Sequence, residues 1–380
     1  MKDQIAIIGL GQTKCETGKP DQILDEMVFE AASKALADAG MTRDEMDCIT
    51  ISAGDEIDGR PISSMLEACP AGAYLKDEIK VTEESSYAAI LAGMRILSGV
   101  FDTALVVSWS KCSETFVTQV SNYSAEPFFN RSCGLNYITA EALLLSQYEK
   151  EYGLPESAAA KVVVKNRGNA VRNPLACYQK PVYEEEVSNS GIISWPLRNM
   201  DVAPYCDGAC AMVLASAEKA RELSGKPVWI KGMGWAAETY ELGAREMTAM
   251  KSLREAAKKA YALAGITKPL ESLDVAEICD TFSYRELMSY EALSLCESGK
   301  SAALIEEGVT EMDGKLPVNP SGGALSGNPF KANGLVRLVE AALQVRGDAG
   351  DHQIDGVRTA LAHGSYGFGG QGNSVIIVGA

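Results

Sequence analysis

Short, uninterrupted apolar runs alternate with helical periodicities along this chain. Ile5-Ala-Ile-Ile-Gly9, Cys48-Ile-Thr-Ile-Ser52, Phe101-Asp-Thr-Ala-Leu-Val-Val-Ser108 and Val275-Ala-Glu-Ile-Cys279 read as strands, and apolar runs of this length suit strands covered on both faces. Ser86 to Leu97 and Asn333 to Gln344 read as buried helices, while Tyr284-Arg-Glu-Leu-Met-Ser-Tyr-Glu-Ala-Leu293 has helical spacing that suits core or a dimer contact. Strand, helix, strand, buried helix, strand predicts a layered α/β fold.

The pattern occurs twice. Glu30-Ala-Ala-Ser-Lys-Ala-Leu-Ala-Asp-Ala-Gly-Met-Thr42 and Glu255-Ala-Ala-Lys-Lys-Ala-Tyr-Ala-Leu-Ala-Gly-Ile-Thr267 coincide at nine of thirteen positions. Alanine, glutamate and lysine are common helix formers, so a chance match is the competing reading. The shared Gly-x-Thr exit and the strand after it favour duplication, with the glycine taking the positive φ of a helix end. The halves fall at about 1–224 and 225–380, and the turn-rich, aromatic stretch of about 111–200 reads as an inserted loop domain, where substrate selection usually resides.

Composition narrows the chemistry. A formal net charge of −16 argues against nucleic acid as a partner, because phosphate neutralisation needs clustered Lys and Arg. No apolar run reaches a membrane span and Met1-Lys-Asp-Gln does not begin a signal peptide, so a cytoplasmic enzyme is expected. Ten scattered cysteines without a CxxC pair read as reduced thiols, and only His352 and His363 are present, which leaves no expected metal centre. Gly9-Leu-Gly11 begins like a dinucleotide loop but lacks its third glycine, so no nucleotide cofactor is expected.

Several segments together resemble the thiolase superfamily. Val81-Thr-Glu-Glu-Ser-Ser-Tyr-Ala-Ala-Ile-Leu-Ala-Gly93 looks like the nucleophile loop running into its buried helix. Asp207-Gly-Ala-Cys-Ala is similar to the "DGAAA" strand, and Ala276-Glu-Ile-Cys-Asp-Thr-Phe282 to the "HDCF" segment of sterol-carrier-protein-type thiolases. Val318-Asn-Pro-Ser-Gly-Gly-Ala-Leu-Ser-Gly-Asn-Pro329 resembles "VNxxGGxxxxGHP", and His363-Gly-Ser-Tyr-Gly-Phe-Gly-Gly-Gln-Gly372 the C-terminal glycine-rich loop. The resemblance implies a thiolase fold of two pseudo-duplicated halves with an inserted loop domain, and a homodimer. It also implies carbon–carbon bond chemistry on an acyl-CoA substrate, with no cofactor held by the chain itself. Relatives with an "HDCF"-like segment often pair with a small zinc-ribbon/OB-fold protein, so such a subunit is expected by analogy.

Every catalytic station implied by the resemblance is altered. Ser85 stands for the nucleophilic cysteine, Cys279 for histidine, Asn328 for the histidine of "GHP", and Tyr366 lies where the C-terminal loop often carries cysteine or a small residue. Asp280 is kept, and Ser321, Gly322, Gly323 and Gly367 are implied near the CoA thioester. A serine needs an adjacent base where a cysteine does not, and His363 is the candidate; Cys279 is as well read as a buried structural thiol. Asn328 can donate an oxyanion-hole hydrogen bond but cannot shuttle protons. Tyr366 and Tyr137 are acid/base candidates against simple packing. The expected activities are acyl transfer of the thiolase kind, cysteine-independent retro-aldol cleavage of a β-hydroxyacyl-CoA, or a non-catalytic thiolase-like subunit.

Overall fold

The computed structural model describes residues 3–223 and 225–380. Among them, nine strands form one mixed sheet: β1 (Ile5–Gln12), β2 (Cys48–Ser52), β3 (Asp77–Val81), β4 (Thr103–Lys111), β5 (Asp207–Ser216), β6 (Val228–Ala237), β7 (Val275–Glu277), β8 (Thr359–Tyr366) and β9 (Gly372–Gly379). Their order is β3-β2-β4-β5-β1-β6-β9-β8-β7. Read outward from the middle, the two sides are the same. β2 lies parallel to β3 and β4, and antiparallel pairs join β4 to β5 and β5 to β1. On the other side β7 lies parallel to β8, and antiparallel pairs join β8 to β9 and β9 to β6. A parallel bridge between Ala276 and Val318 takes the place of β3.

The helices repeat with the strands. The Ala-rich copies lie on α1 (Leu24–Asp38) and its counterpart, which follows the insertion. Their closing glycines, Gly40 and Gly265, both have positive φ, 65° and 73°. Gly9 and Gly11 of β1 lie against the carbonyls of Ala35 and Ala31 on α1. Gly232 and Gly234 of β6 lie in the same way against Ala260 and Ala256, and a Cβ at any of the four would collide with that helix backbone. Gly9-Leu-Gly11 is therefore a groove for helix docking, the kind of close backbone approach that puts glycine inside a strand.

Between the halves of the sheet lie two buried helices, α2 (Ser85–Leu97) and a later one spanning Asn333–Arg346. Ala88 and Ile96 of α2, with Leu335 and Val339 of its mate, pack against Ile7, Val106 and Met212. The insertion contributes α3 (Tyr137–Tyr152) and α4 (Glu156–Ala170) between β4 and β5. The second half then adds α5 (Lys251–Ala264), α6 (Ser283–Ala292) and α7 (Asn333–Arg346). α1 covers Ile8, Val107 and Val213 on the outer face of one half-sheet, and α5 covers Val375 and Ile377 on the other. The result is helix, sheet, paired central helices, sheet, helix. Every residue of α6 is buried, in the same core as Tyr148 of α3 and Val163 of α4. That helix is intrachain core, one of its two expected readings. No helix among the described residues is long and apolar enough to cross a membrane.

Candidate active site

The central helices aim their N-termini at the same place. β3 ends at Val81, three residues turn, and α2 starts at Ser85 with Glu84 as its N-cap. The Glu84 carboxylate accepts from the N–H of Ser86 (2.8 Å), the hydroxyls of Ser85 (2.9 Å) and Ser86, and the N–H of Gly334 in the first turn of α7 (2.5 Å). One carboxylate thus satisfies exposed donors of two helices, where both dipoles favour an anion. Room for it comes from two glycines distant in sequence. A Cβ at Gly334 or Gly364 would overlap the Glu84 carboxylate oxygens. Burial raises the Glu84 carboxyl above the usual range, with those hydrogen bonds pulling the other way.

Glu84, not Ser85, faces the neighbouring cleft of ≈ 210 Å³. Ser85 is fully buried, donating to Glu84 and accepting from the Leu335 N–H (2.8 Å). It makes no pair with His363. The proton position on His363 follows from its neighbours. Asn373 gives its amide hydrogens to Ser252 Oγ and the Gly370 carbonyl, leaving Oδ1 to accept from His363 Nε2 (2.9 Å). His363 Nδ1 then accepts from the Cys279 N–H (3.4 Å). Burial holds this imidazole down at about 4, so it is neutral and both nitrogens are committed.

Of the stations expected from sequence, Cys279, Asn328, Tyr366 and Gly367 line the cleft. Ser85, Asp280, His363, Ser321, Gly322 and Gly323 are buried behind its wall. Cys279 Sγ accepts from Asn333 Nδ2 (3.2 Å), and burial, helped by the Glu84 charge, pushes its thiol up to about 12. Asp280 accepts from Asn166 Nδ2 (2.7 Å) and from the N–H groups of Ala324 (2.5 Å) and Leu325 (3.3 Å). Its carboxyl is raised to about 6, chiefly by burial, and it occupies the space a side chain at Gly323 would need. Ser321 is bound to Glu277 (2.7 Å) and Arg337 (2.8 Å). These residues shape the loop beneath the cleft and do not open onto it.

Asn328 is fixed by its backbone, N–H to the Pro204 carbonyl (2.9 Å) and carbonyl from the Cys206 N–H (3.1 Å). Its buried Oδ1, like that of Asn333, has no hydrogen-bond partner within the protein. Tyr366 ends β8 opposite Gly372, where a Cβ would strike its ring, and meets Tyr87 edge-on at 5.3 Å. Burial and the nearby Glu83 charge raise its phenol above the ordinary value, so it is protonated at neutral pH. Tyr137, at the start of α3, packs on Phe330 and Phe368 at 5.2 and 5.1 Å, and burial raises its phenol too.

The sequence reading missed Glu84, Asn333, Lys331 and Arg285. Lys331 is tied to Glu56 (2.9 Å) and the Thr82 carbonyl (3.1 Å). Arg285, projecting from α6 beneath Gly370, touches Glu141 only at 3.6 Å through Nε, and its Nη1 has no partner. No group of His, Cys, Asp and Glu suited to a metal ion occurs among the described residues.

The placement of Glu84 makes a direct prediction. Glu84→Cys puts a thiol at the shared helix end, where such donors lower a thiol pKa, whereas Ser85→Cys buries it behind the wall. After treatment with iodoacetamide or acetyl-CoA, peptide mapping should find modification at position 84 of the first variant and none at position 85 of the second. The reverse pattern would restore Ser85 as the nucleophile station.

Comparison with known proteins agrees with this architecture. The family model "Thiolase C-terminal domain-like" matches residues 234–379. An acetyl-CoA acetyltransferase of Methanothermobacter thermautotrophicus is 32% identical over 97% of this chain and 98% of its own. Human sterol carrier protein 2 is 29% identical over 97% of this chain and 70% of its own. Among solved structures, the Ltp2-ChsH2(DUF35) aldolase superposes with a TM-score of 0.87 at 25% identity, covering 100% of this chain and 98% of that one.

Proposed function

The chain belongs to the thiolase superfamily, and from that premise we propose that it is an acyl-CoA carbon–carbon lyase that works without a covalent acyl-enzyme. The observation that carries this reading is the Glu84 carboxylate seated on both central helix ends. An acyl-enzyme needs a nucleophile there and free N–H donors for its oxyanion. Here an anion holds the place, Ser85 faces away, and Cys279 is a thiol raised to about 12. Transfer of the thiolase kind is correspondingly disfavoured.

What the cleft offers instead suits a retro-aldol step. The hydroxyl proton of a β-hydroxyacyl-CoA passes to the Tyr366 oxygen as Tyr366 gives up its own proton toward the carboxylates that line the same cleft, Glu83 and Glu84. The β-carbon becomes a carbonyl, the Cα–Cβ bond breaks, and its electron pair moves through the α-carbon to the thioester oxygen. Return of the proton to the α-carbon gives an acyl-CoA and an aldehyde or ketone. Amide hydrogens of Asn328 can hold the thioester oxygen. The similarity to a protein named as an aldolase supports the same direction.

The partners follow as part of this proposal. β3 is an edge strand with Ile79 40% exposed, an edge that a second copy can extend into a homodimer. The two-component name of the structural relative supports a small zinc-ribbon/OB-fold subunit. The test is incubation of the purified chain with a panel of β-hydroxyacyl-CoAs and, separately, with acetyl-CoA pairs, followed by mass spectrometry. Release of acyl-CoA and carbonyl product without an acylated peptide is expected. An acylated protein and condensation product would overturn the reading in favour of a thiolase.

A further inference from the structure

We propose that Arg285 is a catalytic residue of this cleavage, its guanidinium taking the negative charge that gathers on the thioester oxygen as the Cα–Cβ bond breaks. The inference rests on the lyase reading and supplies the electrostatic centre that the reading lacks. In a fold with two helix N-termini aimed at one spot, those ends are the expected home of a developing oxyanion. Glu84 occupies both, bonded to the Ser86 and Gly334 N–H groups, while Ser85 Oγ takes the Leu335 N–H. The favourable potential there is cancelled from within the chain, so the reaction must find its positive charge elsewhere on the wall.

Two cationic side chains line the cleft, Arg285 and Lys331. Lys331 is engaged by Glu56 at 2.9 Å and the Thr82 carbonyl at 3.1 Å. Arg285 is not comparably engaged. It is 4% exposed, yet Nη1 is orphaned and the contact to Glu141 is a single 3.6 Å approach through Nε. Glu141 is itself bound by the Tyr284 hydroxyl. A buried guanidinium with a missing partner is costly, and the fold makes room for it. Gly370, with φ of 60°, lacks the Cβ that would strike Nη2. The charge is felt where the chemistry is placed, since it works against protonation of His363 and against the rise at Cys279. Arg285 therefore places a planar guanidinium with an unpaired N–H group in the wall that also carries Cys279 and Asn328.

The test uses the full chain and two reactions. One is cleavage of a β-hydroxyacyl-CoA. The other is exchange of the α-hydrogens of acetyl-CoA in deuterated water, which forms the same enolate without breaking a carbon–carbon bond. Arg285→Ala should lower turnover in both by about 10²–10³-fold with KM little changed, the range for loss of one oxyanion donor. Millimolar guanidinium should recover part of that loss, and Arg285→Lys should fall between the two. If Arg285→Ala does not fold, Arg285→Lys with a native melting profile decides, with a loss of about tenfold expected for a point charge without the fork. Exchange and cleavage at wild-type rates in the variants would overturn the role of Arg285, as would a rise in KM at unchanged kcat, which marks ground-state anchoring. A wild-type chain that exchanges but does not cleave overturns the lyase reading alone, and Arg285 is then judged on exchange. A wild-type chain that does neither overturns both.

Discussion

Tyr366→Phe should reduce cleavage of a β-hydroxyacyl-CoA by about 10²–10⁴-fold, the contribution typical of a positioned acid/base group, while leaving the fold in place. The phenylalanine ring keeps its seat over Gly372 and its edge contact with Tyr87, so only the phenolic oxygen is lost. That oxygen is protonated at neutral pH because burial and Glu83 both raise it. It therefore acts by accepting one proton while giving another, and phenylalanine can do neither. Ser85→Ala is the matched comparison. It removes the hydroxyl bonds to Glu84 and the Leu335 N–H, which costs roughly 1 kcal/mol of stability. It takes nothing from the cleft, so turnover should stay near wild type. Steady-state kinetics with thermal melts of both variants check the pair. Abolished turnover in Ser85→Ala, with Tyr366→Phe still active, would point back to serine acylation.

The contrast between Ser85 and Glu84 shows where a sequence stops being informative. The duplicated scaffold was legible because its cues are local: apolar runs, Ala-rich helices and glycines at their ends. Gly9 and Gly11 stand out in the sequence only as an incomplete dinucleotide loop, and the helix carbonyls they admit appear only in three dimensions. The sequence pattern places the start of α2 one residue late, at Ser86 in place of Ser85. Serine is a favoured N-cap, and nothing near Glu84 announces that a carboxylate fits there. What makes it fit is the missing Cβ at Gly334 and Gly364, about 250 and 280 positions away by residue number. Arg285 was hidden in the same way. Tyr284 to Leu293 has the pattern of a core helix and is one, yet the guanidinium reaches the cleft because Gly370 lies over it. Ser321, Gly322 and Gly323, which the resemblance implies near the CoA thioester, are met by protein: Arg337 and Glu277 at Ser321, Ala170 at Gly322, and the Asp280 carboxylate at Gly323.

Lys165→Ala should destabilise the protein by about 3–5 kcal/mol, the cost of stripping one partner from a buried ion pair. Lys165 and Glu286 are both fully buried and 2.7 Å apart. Glu286 also accepts from Asn166 (2.7 Å), Asn319 (2.6 Å) and the Tyr290 hydroxyl. Asn319 in turn accepts the Ile278 N–H (2.7 Å), beside Cys279, and Lys165 donates to the Val318 carbonyl (2.9 Å). Removing the ammonium therefore leaves a carboxylate without its counter-charge beneath the segment that carries Asn328. Lys165→Met with Glu286→Gln should recover much of the loss, because both charges then go together, although the amide cannot accept from all three of its neighbours. Urea denaturation of Lys165→Met, Glu286→Gln and the double variant measures this coupling directly. Turnover below the transition should follow the fraction folded, since neither residue faces the cleft. A single variant as stable as wild type would mean that the ion pair contributes no net stability and that the polar cluster under the site is held by its remaining hydrogen bonds.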